Sequence, residues 1–142
     1  MGVTMESKNS SIDMGYGGFI ELRKKVAELT SEDIFLHYKK IEEGMCLFGK
    51  AKQQFFEEYN SKIEMLSKEH NGEKDGILRF LYAPDIGAEI SVDDCKEIYK
   101  VIKDYDDNVC YGYCGRKDCA MFKDFKNIVK ECIDNNCNME WS

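Results

Sequence analysis

Between Ile34 and Leu66 apolar side chains return every three or four residues, as Ile34, Tyr38, Ile41, Met45, Phe48, Phe55, Tyr59 and Leu66. That spacing is the period of one helix face, not of a strand. The middle of the chain is therefore committed to helix, and the rest of the fold must offer an apolar surface to that face. Lys52 and Lys62 interrupt the register. A glycine inside a helix costs about 1 kcal/mol relative to alanine, so the pattern is expected to break near Gly44. It should stop at Asn71-Gly72, two residues that tolerate left-handed backbone.

Shorter helical signals flank this segment. Gly15-Tyr16-Gly17-Gly18 reads as a turn, after which Phe19, Leu22, Val26 and Leu29 share one face. Thr30 and Asp33 have the spacing of a capping box that opens a second helix. Ile77, Phe80 and Leu81 mark a short helix that the single proline, Pro84, ends. Ser91 and Asp94 form another capping box, ahead of Cys95, Ile98, Tyr99 and Ile102. A last helix carries Phe122, Phe125, Val129 and Cys132 inward and ends around Asn135-Asn136. Met139 and Trp141 alternate in the manner of a strand and pair with Ala88–Ile90 in this reading. The expected fold is mainly α, a single domain of five or six helices over residues 15–142 with one tiny two-stranded antiparallel pairing. Residues 1–14, rich in Ser, Asn and Lys, are expected to be a flexible N-terminal segment.

Charge narrows the function. The 142 residues carry a formal net charge of −7, which disfavours phosphate backbones and anionic lipid. No apolar run approaches the roughly 18 residues of a membrane span. The polar start, Met1 to Ser11, lacks the apolar core of a signal peptide, so a cytoplasmic location is expected.

Seven cysteines, Cys46, Cys95, Cys110, Cys114, Cys119, Cys132 and Cys137, are an odd number. In that compartment reduced thiols or a metal are the expected states. Zinc takes four ligands in a tetrahedron, often from short cysteine pairs. The spacing Cys110-x3-Cys114-x4-Cys119, with Cys137 as fourth ligand, is the candidate zinc site. Its spacing departs from the usual C-x2-C pair, and the competing reading is of thiols used as small hydrophobes. The segment from Asp85 to Asp94 lacks most of the oxygen ligands of a calcium loop.

No nucleophile elbow, Walker A or dinucleotide-binding glycine pattern occurs. His37 and His70 lie in charged helical segments and are expected to be solvated, as are the pairs Glu42-Glu43, Glu57-Glu58 and Asp106-Asp107. Phe19, Phe48, Phe55, Phe80, Phe122 and Phe125 fit core positions, whereas Phe56, Tyr111 and Tyr113 do not.

Gly15-Tyr16-Gly17-Gly18-Phe19, Leu22-Arg23, Phe80-Leu81, the turn from Asp85 to Glu89, Asp94-Cys95 and the Met-Glu-Trp-Ser ending together resemble a family of small uncharacterised bacterial proteins. Its members open with Ser-Tyr-Gly-x-Phe and carry an Asp-Cys-Asp-Gly-Glu-like turn before a cysteine-containing helix. Here Gly15 replaces the Ser, Ile86 the Cys, and Gly87-Ala88 the Asp-Gly. The helix from Met45 to His70 and the Cys110–Cys119 loop look like additions. The resemblance implies no activity and no catalytic residues.

With no catalytic constellation, the functional expectation is a non-enzymatic protein-interaction domain, of inhibitor or immunity type, that offers carboxylates to a basic partner. The alternative is a zinc-binding module built on Cys110, Cys114, Cys119 and Cys137.

Overall fold

Helix α1 (Tyr16–Thr30) turns Phe19, Leu22, Arg23, Val26 and Ala27 into the interior. The computed structural model describes residues 2–113 and 119–142. After α1 come α2 (Glu32–Lys39), the single-turn α3 (Ile41–Met45), α4 (Gly49–Glu69) and α5 (Asp75–Tyr82). Strand β3 (Ala88–Ile90) leads into α6 (Val92–Ile102), and α7 (Phe122–Asp134) precedes β4 (Met139–Trp141). Six of the helices among the described residues have eight or more residues, so the mainly α expectation holds.

Most boundaries follow local chemistry. The long apolar pattern divides at Cys46–Phe48, just after Gly44. Gly44 is buried in α3, where an added Cβ would strike the rings of Phe55 and Phe56. Helix α4 ends where Asn71 and Gly72 adopt φ of 57° and 74°, and Ala83 before Pro84 is extended. The Ser91–Asp94 capping box is formed in both directions. The Thr30–Asp33 box is not: Ser31 is the N-cap, and Thr30 donates its hydroxyl to the Val26 carbonyl at 2.7 Å.

The N-terminal segment corrects the sequence reading. Where residues 1–14 suggest a flexible arm, β1 (Gly2–Glu6) and β2 (Ser11–Gly15) form an antiparallel hairpin. Val3, Met5 and Met14 are fully buried from it. Ser7 and Ser10, in its turn, donate their hydroxyls to the two carboxylate oxygens of Glu131 on α7. The polar residues that suggest disorder are thus the outward half of an alternating strand pattern and the turn that anchors it.

The sheet has the order β2-β1-β4-β3 and is antiparallel throughout. It contains the expected pairing, with Ala88, Glu89 and Ile90 opposite Trp141, Glu140 and Met139. On its inner face Trp141 meets Phe19 and Phe80 edge-on, and Phe80 stacks in turn on Phe125. Three aromatic assignments change. Phe55, expected in the core, is only half-buried on α4. Phe48 is 86% exposed, because it precedes α4 instead of continuing the helical face, and Tyr111 is buried against Phe122.

Candidate functional site

Among the described residues, Cys110, Cys119 and Cys137 are not gathered as a metal site. Cys110 and Cys119 form a disulfide with Cα atoms 6.0 Å apart, where the sequence reading expects free thiols or a metal. The bridge between Cys110 and Met121 brings the two chains of this loop side by side. Disulfide sulfurs are not thiolate ligands. Cys114 lies outside the described residues. Cys137 follows α7, and its amide donates to the Cys132 carbonyl at 3.0 Å. Among the described residues no group of three or more His, Cys, Asp or Glu is arranged to hold a metal ion. Instead Cys132 sits between Cys95 and Cys137 as a row of thiols leading outward. The hydrogen bond that the Cys132 thiol donates to Cys95, together with burial, pushes that thiol well up from its ordinary range.

His37 is also placed differently from its reading. It is buried, because α4 and α5 bring it partners that its own helix cannot. Its ring stacks on Tyr59, at 4.1 Å between centroids. Nε2 lies 3.0 Å from the Tyr59 carbonyl, which can only accept, so Nε2 carries the proton. Nδ1 therefore accepts from the Tyr82 hydroxyl, at 2.7 Å. Burial holds the His37 imidazole below its ordinary pKa and raises the Tyr82 phenol, so both are neutral at neutral pH. His70 contacts Asp33 at 2.8 Å.

Tyr82 opens onto a groove of about 640 Å³ between α4, α5 and β3. Ile63, Leu78, Tyr82 and Pro84 give it an apolar lining, Glu64 and Asp75 bring carboxylates to it, and Glu89 borders it from β3. Arg79 also lines it, but its guanidinium is held by both oxygens of Asp94, the nearest contact being 2.7 Å. Ser67 donates to Asp75 at 2.6 Å, and no imidazole lines the groove beside them.

Two buried side chains fix the β3 side of the groove. Arg23, 3% exposed, lies 4.1 Å over the Phe19 ring. It donates at 3.0 Å both to the Ala83 carbonyl and to Asp85. Trp141 donates its indole N–H to the Pro84 carbonyl at 2.9 Å. These bonds pin residues 83–85, so β3 starts from a fixed point. Burial lowers the Arg23 pKa from its ordinary value. Its Nε has no partner among the described residues.

The outer face of the sheet carries the second feature. Glu6 faces Glu140, and Glu140 faces Glu89, so three carboxylates stand in register across β1, β4 and β3. Neighbouring strands are about 4.8 Å apart, and like charges directly opposite destabilise a sheet. Among the described residues no cation is within ion-pair distance of any of the three. Asn138 donates to Glu89 at 3.4 Å. This row and the groove share Gly87, Ala88 and Glu89, so they form one surface that turns around β3.

Sequence reasoning missed this surface and also the burial of Arg23 and His37. The alternation of Glu140 with Met139 and Trp141 was a signal for one carboxylate. The register that aligns it with Glu6 and Glu89 comes only from the fold.

No family model, curated protein or solved structure matches this chain.

Proposed function

We propose that this protein is a non-enzymatic interaction domain that presents carboxylates to a basic protein partner. The row Glu6–Glu140–Glu89 carries this reading. Three like charges in register oppose sheet formation, and no internal cation offsets them among the described residues. A cationic partner would relieve that repulsion on binding, and the net charge of −7 would speed its approach. An inhibitor or immunity-type protein, covering the basic working surface of an enzyme, is the concrete form of this activity.

The test is recovery of a partner with the full-length chain at low ionic strength. A stoichiometric basic protein should co-purify, dissociate as salt is raised, and be lost from the triple variant Glu6→Gln, Glu89→Gln, Glu140→Gln. Recovery of no partner at low salt, or equal recovery by the triple variant, would overturn the proposal.

A further inference from the structure

The hydrogen-bond pattern of the sheet indicates how a partner would be held. Thr4 and Ser142 exchange two backbone hydrogen bonds, at 2.8 and 3.0 Å. In an antiparallel ladder bonded and non-bonded pairs alternate. Glu6–Glu140 is therefore the next bonded pair between β1 and β4, and the backbone groups of Met139 and Trp141 turn to β3. By the same alternation β3 bonds β4 through Ala88 and Ile90. The N–H and C=O of Glu89 then point away from β4, off the open edge and beside the groove. The β2 side of the sheet fits this pattern, since the Ser7 amide donates to the Ser10 carbonyl at 2.9 Å, two residues beyond the Met5–Ile12 pair.

We infer that the groove beside β3 binds an extended segment of a basic partner protein, which adds to the sheet as a fifth strand by pairing with Glu89. This inference rests on the reading of the protein as a carboxylate-presenting interaction domain and specifies its mode.

The geometry dictates the side-chain pattern of the added segment. A residue paired with Glu89 has its side chain on the same face as the Glu89 carboxylate. That is the face of Glu140 and Glu6, so a lysine or arginine belongs at this position. The residues before and after it turn to the other face, where Ile63, Leu78 and Tyr82 line the groove. The recognised core is therefore apolar–basic–apolar. Glu64 and Asp75, on the helical walls, favour further positive charge at the ends of the segment. The volume of about 640 Å³ lies within the range of ligand-binding clefts. β3 is only three residues long and charged, which limits indiscriminate edge pairing. Affinity must then come jointly from one backbone pair, the apolar wall and the carboxylates. This is the strand-addition mode, in which main-chain bonds hold the peptide and alternate side chains select it.

The probe is a capped heptapeptide, Ser-Gly-Val-Lys-Val-Gly-Ser, titrated at low salt into the full-length ¹⁵N-labelled protein. Three controls accompany it: an isomer with the order Val-Val-Lys, a version N-methylated at the lysine, and the protein variant Ile63→Ser. Ile63 lies on the outer part of α4 and its replacement leaves the core intact. The expected result is saturable binding in which the Glu89 amide resonance moves more than those of Ala88 and Ile90, which already bond β4. N-methylation should weaken binding about tenfold, the scale of one lost hydrogen bond. The isomer and Ile63→Ser should bind several-fold more weakly.

Equal binding of the N-methylated peptide or the isomer would overturn strand addition. If in that case binding still vanished in the Glu6, Glu89, Glu140 triple variant, the acidic face would remain the binding surface and only its mode would be wrong. If no cationic peptide bound at low salt, both the mode and the acidic-face reading would fail.

Discussion

Helices α4 and α7 are both amphipathic, yet the fold uses them in opposite ways. In α7, five of 13 residues are buried: Phe122, Phe125, Ile128, Val129 and Cys132. In α4, the longer helix, only Tyr59 and Leu66 of 21 residues are buried. The first is a core element whose loss would empty the interior. The second is a wall held mainly by those two side chains and by the contact of Tyr59 with His37. Burial, not length or periodicity, separates a helix that makes the fold from one that shapes a surface.

The largest test of this contrast is a pair of aromatic truncations. Phe125→Ala should cost about 3–5 kcal/mol, the range for a fully buried phenylalanine. Phe56→Ala, on half-buried α4 surface, should cost about 1 kcal/mol. Urea unfolding of the two variants measures both, and similar losses would erase the distinction.

Adjacent glycines of α1 sharpen the same contrast at single-atom scale. A Cβ on Gly18 would overlap the Tyr111 carbonyl, whereas one on Gly17 meets nothing within 4 Å. Gly18→Ala should therefore destabilise by about 1–3 kcal/mol through overpacking. Gly17→Ala should stabilise by about 0.5–1 kcal/mol by restricting the unfolded chain. Thermal melts of the two would show shifts of opposite sign.

Acid should loosen α4 through its anchor. Burial lowers the His37 pKa in the fold below the unfolded value near 6.5. Between those two values the unfolded chain binds more protons, so stability rises with pH there. The contribution is complete above about pH 6.5 and is lost as pH falls from there toward the folded pKa. The urea midpoint of the protein should drop over that window, and the drop should be smaller in His37→Gln.

The smallest effect concerns the sheet. Glu140→Gln removes the central charge of the row and should raise stability by about 0.2–1 kcal/mol, while weakening any basic partner. Unfolding midpoints at low and high salt would check it, because screening should shrink the gain.

How much of this was legible depended on how local each cause was. The β3–β4 pairing joins segments far apart in sequence and rested on the alternation of Met139 and Trp141, whereas the Ser91–Asp94 box, the stop at Asn71-Gly72 and the break before Pro84 are written in neighbouring residues and were read directly. The β1–β2 hairpin was not. Its apolar residues, Val3, Met5, Ile12 and Met14, alternate with polar ones in a stretch whose composition suggests disorder, and one of its partner strands, β4, is far away in sequence. His37 looked solvated because its hydrogen-bonding partners come from α4 and α5. Of the candidate site, the acidic balance was legible, but the groove and the alignment of three glutamates required the tertiary register.

The position of β4 also bears on how the molecule is made. This strand is near the end of the sequence, yet it lies between β1 and β3. The N-terminal hairpin leaves the ribosome first and must then wait for Trp141 before Met5 finds its neighbour. At 5–20 residues per second, that wait is on the order of ten seconds. Until it ends, the inward faces of Val3, Met5 and Met14 have no sheet to complete and are open to other chains. Pairing across so much sequence also slows folding itself. Newly made protein should therefore be most vulnerable to aggregation at the β1–β2 hairpin, although Val3, Met5 and Met14 are fully buried in the finished fold.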